Sequence, residues 1–509
     1  MSLRHFGRNA LIYMVGNAGL RAVSFLLIPL YTHMLSQAEF GMLFTLLFTM
    51  QILLVLTNLG IRESLTRFVT EAAAAGRTGE LLGSALASTL AGGLAISAAG
   101  LLFFVPLLGR MLHSDRALEY LALGAAATVA QALSGQLVNY YRATNQALRF
   151  MFAGLATAVL LVVANLAALW WLRLGIRGVL LAQLVTYLIS AAAVAALILP
   201  GTGLALSRRV ARQVVAFGAP LVMAEFCWTL MTAAPVYFLG HWAGLEAVAI
   251  YSLGFKLAQA VTVVLILPFD LAYAPFVFAN LGRPDIRQTM SRVLTYFVLA
   301  FGAAAFLALV GSRELIKVIA PGEYSGALLV LLFLLPAIAF EGLHAFAKTQ
   351  LLIRGRTRIA GVIAAVVGAV SLGLNFALVP AFGLWGAVGA SDLATAMMGM
   401  LVLAAGMRSY PVDLDYRRIA VASLGFTAFG ALFLVMRDAP APVFYPAVLL
   451  PAAAVAGLLY AGRFFSESER RLIRNAMLGI PALAARIRSR RRARGLSSPG
   501  PADDSVSDR

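Results

Sequence analysis

Residues 162–186, VVANLAALWWLRLGIRGVLLAQLVT, and residues 372–395, LGLNFALVPAFGLWGAVGASDLAT, are two copies of one pattern. A two-residue gap aligns Asn165 with Asn375, Gly175 with Gly383, Gly178 with Gly386 and Ala182 with Ala390. Each copy reads as an apolar helix, a short G-x-x-G turn and a second apolar helix. The offset of about 210 residues, carried back along the chain, sets one group of six helices against another. An even number of crossings per copy returns the chain to its starting side. The copies therefore keep one orientation, as parallel repeats about an axis along the membrane normal.

The rest of the chain supplies the other helices. Fourteen apolar stretches recur about every 30 residues: 9–34, 40–60, 81–108, 117–140, 150–172, 176–200, 213–240, 247–279, 290–310, 326–352, 358–380, 384–407, 416–436 and 442–462. A spanning helix needs about 20 apolar residues. Hydrophobic residues make up 61% of the chain and charged residues 12%, half the ~25% of a soluble protein. The expected fold is an all-α polytopic membrane protein with about 14 transmembrane helices. Residues 1–205 form a first lobe of spans 1–6, and residues 206–408 a second lobe of spans 7–12. Spans 13 and 14 follow over 409–463, and 464–509 is a basic tail.

The net charge of +18 has a positional explanation. With the N-terminus assigned to the cytoplasm, thirty of the 40 Lys and Arg fall on that side and seven on the other. The remaining three, Arg21, Lys256 and Lys348, lie inside spans. This is the positive-inside pattern, and it places both termini in the cytoplasm without invoking nucleic acid. The lone cysteine, Cys227, excludes an intrachain disulfide and a cysteine-rich metal site. The first span is too long for a signal-peptide apolar region and is expected to be retained. In the tail, residues 466–488 place Leu472, Ile473, Ala476, Met477, Ile480 and Leu483 near one helical face among arginines. That pattern predicts an interfacial helix on anionic lipid. Its other reading is a docking site for a partner enzyme.

Ionisable groups at membrane depth are costly, so they face a cavity or a partner. Arg21 lies about twelve residues into span 1, with Asn17 on its face. Glu225 sits at comparable depth in span 7, the repeat partner of span 1, so the two are expected to face each other. In span 8, Lys256, Gln259 and Asp270 fall within about 60° of one another at 100° per residue. In span 10, Glu341, His344 and Lys348 form one stripe, and Glu341 and Lys348 can satisfy each other along the helix. Asp392 lies in span 12 between Ser391 and Thr395. Arg21, Lys256 and Lys348, with Asn17 and Gln259, are the candidate binding residues for an anionic substrate. Phosphate suits them, because arginine pairs with it bidentately, and apolar walls tolerate a lipid tail. Glu225, Asp270, Glu341, His344 and Asp392 are the candidate coupling-ion residues, for a proton or sodium. No metal cluster, nucleophile triad or phosphate-loop motif appears, so no cofactor and no enzyme activity is expected.

The stretch 8–68 contains IPLYTHMLSQAEFG at 28–41 and NLGIRES at 58–64, and GLWGAVGA stands at 383–390. These resemble the polysaccharide transporters, the O-antigen and oligosaccharide flippases of the multidrug/oligosaccharidyl-lipid/polysaccharide exporter superfamily. The resemblance spans about residues 8–405. It implies two MATE-like six-helix lobes and alternating access. It also implies movement of polyprenyl-diphosphate-linked oligosaccharide from the cytoplasmic to the periplasmic leaflet of a bacterial inner membrane, with polysaccharide polymerase or assembly proteins as partners. The alternatives are a lipid II flippase and a multidrug or organic-cation exporter on the same fold. Three basic side chains at depth argue against a cavity for cations.

Overall fold

The computed structural model describes residues 23, 25–112 and 116–461. Arg21, Asn17 and the predicted tail helix lie outside them. The described residues form helices and turns, and twelve of the helices are long and apolar enough to cross a membrane. These are expected spans 2–13. Most of span 1 lies outside the described residues. Span 14 is present as Ala441–Ala461, with a shorter apolar portion over Ala441–Val455.

The chain divides into two compact units, Met1–Asp415 and Tyr416–Arg509. In the first, α1 (Ile28–Met34) leads into α2 (Gln37–Asn58), α3 (Ile61–Ala74), α4 (Thr78–Leu112), α5 (Ala117–Ala143), α6 (Ala147–Leu166) and α7 (Gly175–Thr202). Then come α8 (Arg208–Trp242), α9 (Leu245–Val261), α10 (Leu267–Ala279), α11 (Ile286–Ile319), α12 (Ala327–Ile353), α13 (Thr357–Phe382) and α14 (Leu384–Ser409). The second unit contains α15 (Tyr416–Met436) and α16 (Ala441–Ala461), which pack through Phe433 and Phe444 with ring centroids 5.9 Å apart.

Local chemistry sets the boundaries. Ser36 and Glu39 close a reciprocal capping box that starts α2. Leu59 and Gly60, both at positive φ, break the helix before α3. Beyond the break α3 turns amphipathic: Ile61, Leu65 and Val69 are buried while Arg62, Arg67 and Glu71 are exposed.

The repeat is visible in the packing. In the first half α2 packs on α4 and α5, α5 on α4 and α7, and α6 on α7. In the second half α9 packs on α11 and α12, α12 on α11 and α14, and α13 on α14. The aligned residues behave alike. Asn165 and Asn375 are both fully buried, and each donates its side-chain amide to the carbonyl four residues back, at 2.8 Å. Gly175 and Gly383 both take positive φ, 56° and 54°. A Cβ on Gly178 would meet the Ala168 carbonyl, and one on Gly386 the equivalent Leu378 carbonyl. Glycine is therefore needed at both turns for backbone shape and for close approach of the paired helices.

The two halves are not packed evenly. Helix α8 follows the first half along much of its length. Gly218 meets Gly60 backbone to backbone, the Ser64 hydroxyl donates to the Val214 carbonyl at 2.7 Å, and Tyr237 and Thr49 share a hydrogen bond of 2.7 Å. The contacts that join α1 and α2 to α9–α12 cluster at the end of the bundle away from the arginine-rich loops. There Gly41 lies against the Leu245 backbone, Thr32 donates to the Ile319 carbonyl, and Gln37 donates to the Glu323 carbonyl at 3.3 Å. Phe40 and Tyr324 meet edge to face at 5.5 Å, and near the middle of α2 Phe48 and Phe255 lie 5.9 Å apart. Toward the arginine-rich end, α10 packs on α12 within its own half.

Candidate functional site

The second half contains a small cavity in its helical core, with several polar side chains set among apolar walls such as Met231, Leu334 and Ile338. Trp228 and Thr232 of α8, Tyr251 and Gln259 of α9, Glu341 of α12 and Ser391 of α14 line it. Its volume is about 50 Å³, room for a few waters at the ~10–15 Å³ each requires. An ion with its ligands fits there; a sugar does not. Tyr251 is fully buried at 1% exposure, and its hydroxyl shares a 2.9 Å hydrogen bond with Ser391. Asp392, one residue on, accepts from the Ala337 backbone N–H at 3.2 Å. Ala337 follows Pro336, which removes an N–H from the α12 ladder.

Helix α9 passes into a π-helical turn, Thr262–Ile266, before α10 begins. That turn puts the Thr262 hydroxyl 3.1 Å from Glu341 Oε2, as donor. It also breaks the 100° arithmetic that set Asp270 beside Lys256 and Gln259. A π turn carries an extra residue and rotates everything beyond it, and such turns occur often at functional sites. Asp270 accordingly faces α12, where its carboxylate pairs with the Lys348 ammonium at 2.9 Å. Lys348 thus has Asp270 as an ion partner, and Glu341 has Thr262 as a hydrogen-bond donor. The expected Glu341–Lys348 pair along α12 is replaced by bonds to the helix alongside. His344 lies between these groups, stacked on Trp228 with centroids 5.4 Å apart and within electrostatic reach of Lys348 and Asp270.

Lys256 is half-buried on the side of α9 that faces α2, its ammonium 5.8 Å from the Phe44 ring centroid. It therefore sits at the seam between halves, next to Phe255 and one turn before Gln259, which both line the cavity. Glu225 is exposed on α8, within electrostatic reach of Arg62 and Glu63 at the α3 start. Its expected partner Arg21 lies outside the described residues. The structure thus gathers Gln259 and Glu341 in one cavity, with Asp392 beside it, and places His344, Lys348 and Asp270 in an adjoining cluster. Lys256 lies at the seam over Phe44, and Glu225 lies near the α3 start.

Tyr251 and Thr262 were not singled out in the sequence. Tyr251 was accessible to it, because Tyr251, Phe255 and Gln259 recur at four-residue spacing on one helical stripe. Thr262 was not, since its role depends on the π turn.

A family model described as polysaccharide biosynthesis protein matches residues 6–281. No curated protein matches the chain. Similar solved structures include a MOP superfamily transporter from Pyrococcus furiosus, 14% identical, covering 82% of this chain and 96% of that one with a TM-score of 0.59. A multidrug resistance MATE family transporter of the same superfamily is similar in two conformations. The inward-facing one gives a TM-score of 0.62 and the outward-facing one 0.53, each at 14% identity over 82% of this chain and 96% of that one. At such identity the likeness is one of fold.

Proposed function

Because the chain belongs to the polysaccharide biosynthesis protein family, and its fold is that of MOP superfamily membrane transporters rather than of enzymes, we propose that it is a flippase for polyprenyl-diphosphate-linked oligosaccharide. The cargo's diphosphate meets Lys256 at the seam between halves; Arg21 and Asn17, the other candidates read from the sequence, lie outside the described residues. The observation that carries this reading is the position of Lys256. A half-buried ammonium on the inter-half face, beside aromatic and amide side chains, suits a diphosphate attached to a sugar. Lys348 is compensated by Asp270 and serves the site only when that pair opens.

The positive-inside bias assigns the arginine-rich end and both termini to the cytoplasm of a bacterial inner membrane. Seam contacts at the opposite end then correspond to a state closed to the periplasm. Loading from the cytoplasmic leaflet, separation at Gly41–Leu245 and release on the far side complete an alternating-access cycle. The small cavity of Gln259 and Glu341, with Asp392 and the His344 cluster beside it, is the coupling site. A proton or sodium there changes the charge balance between Asp392, Glu341 and the seam. Glu225 serves the same role at the α3 junction.

Trp228 lines this cavity and gives a test. In a variant whose other four of the five tryptophans are phenylalanine, a polyprenyl-diphosphate-linked disaccharide is expected to change Trp228 fluorescence saturably. Tetraphenylphosphonium, an organic cation, is expected to leave it unchanged. The reverse pattern would favour a cation exporter.

A further inference from the structure

A second, larger cavity lies on the first half, away from the seam. It is a groove of about 450 Å³ between α6 and α7, with Arg149 and Tyr141 at its arginine-rich end and Phe152, Ala156, Leu160 and Ala193 along its walls. Small residues make it deep. The Ser190 hydroxyl bonds to Ser134 at 2.9 Å and to Thr157 at 2.7 Å, so the floor is satisfied internally.

The internal repeat supplies a control. By the same alignment, Ala153, Ala156, Thr157, Ser190 and Ala193 correspond to Ile363, Val366, Val367, Met398 and Leu401. Four of these small side chains are larger in the second half, while Thr157 is exchanged for the isosteric Val367; Val367 and Met398 are buried there at 0% and 1% exposure. Arg149 corresponds to Ile359. The aligned positions of the second half thus carry neither this arginine nor the same run of small wall residues.

We propose that this groove holds one acyl chain of an anionic glycerophospholipid, with the lipid phosphate on Arg149. Length supports it. From Arg149 to Leu160 the helix rises about 16 Å at ~1.5 Å per residue, close to the ~15 Å depth of one hydrocarbon leaflet. Charge supports it too. The guanidinium gives one of its five N–H donors to Gln146, at 2.7 Å, and it stands at the headgroup level of the arginine-rich side. Basic pockets between spanning helices on that side select anionic headgroups. The walls are apolar, and Phe152 and Leu197 are 63% and 75% exposed. The site takes a resident membrane lipid and is separate from the seam that takes cargo.

Native mass spectrometry of the delipidated full chain tests this, with phosphatidylglycerol and phosphatidylethanolamine of identical chains as probes. One phosphatidylglycerol should be retained about fivefold more strongly than phosphatidylethanolamine, the ratio that one arginine supplies. Arg149→Gln should bring the two to parity. Ala156→Phe and Ala193→Phe, each filling the groove from its exposed wall, should lose the retained lipid. Val366→Phe, at the equivalent wall position of the second half, should keep it. The proposal is overturned if both groove-filling variants keep the lipid while melting normally, or if the wild-type chain does not distinguish the headgroups. Displacement of phosphatidylglycerol by an equal amount of polyprenyl phosphate also overturns it, by assigning the groove to the cargo's tail.

Discussion

Lys256→Ala should reduce transfer of lipid-linked oligosaccharide by about 10- to 100-fold, the equivalent of the ~1.5–3 kcal/mol of a hydrogen bond to a charged group. Two contributions of the side chain can be separated. Its ammonium lies over Phe44, a cation–π contact that ties α9 to α2 and is worth about 0.5–2 kcal/mol. It also provides a positive charge for a diphosphate. Lys256→Arg keeps both contributions and should keep most of the activity. Phe44→Leu removes the ring and leaves the cation, so transfer should fall severalfold at most. If Phe44→Leu is as damaging as Lys256→Ala, the lysine fastens the seam and does not bind cargo. Transfer rates in proteoliposomes across these three variants decide the matter.

The second large effect belongs to Gly41. No side chain separates α2 from α9 there, and a Cβ would strike the Leu245 carbonyl and crowd the Ala249 N–H. Backbone atoms have little freedom to yield, so Gly41→Ala, and more so Gly41→Leu, must part the helices at that end. Overpacking of this kind costs about 1–3 kcal/mol. The cost falls only on the conformation in which the seam is closed, so the equilibrium shifts by about 5- to 100-fold toward the alternative. Gln37 and Glu323 report on it, because the Gln37 amide reaches the Glu323 carbonyl at 3.3 Å. In a Cys227→Ala background carrying Gln37→Cys and Glu323→Cys, a short bis-maleimide should cross-link efficiently. Adding Gly41→Leu should suppress the product and slow transport by more than tenfold. Gly389, with open space around its Cα, should accept alanine with no change in either readout. Undiminished cross-linking in the Gly41 variant would mean that this contact does not gate the bundle.

Much of the fold was legible in the sequence because hydrophobic length and repeat spacing are local signals. Asn165 and Asn375 announced equivalent helices, and the structure gives them the same buried hydrogen bond. Gly175 and Gly383 announced turns, and both adopt the positive φ that glycine permits. The site was less legible because its partners lie on different helices. Asp270 was set with Lys256 by helical arithmetic, but the Thr262–Ile266 turn rotates it toward Lys348. Glu341 was matched to Lys348 on its own helix, yet it accepts from Thr262 on the helix alongside. Neither bond has a sequence signature, since one π turn adds a residue without changing the apolar pattern. The association of α8 with the first half was likewise hidden. It rests on Gly60 meeting Gly218 and Thr49 meeting Tyr237, pairs separated by more than 150 residues of chain.

The central claim is that the cargo is an anionic lipid-linked oligosaccharide. The most direct measurement is leaflet transfer by the purified full-length chain in proteoliposomes, with a fluorescent polyprenyl-diphosphate-linked oligosaccharide as substrate. A proton or sodium gradient is imposed in separate runs. Transfer well above protein-free vesicles, dependent on Lys256 and on the diphosphate, is the predicted result. A folded protein that leaves this lipid in its original leaflet, while moving an organic cation, would contradict the account.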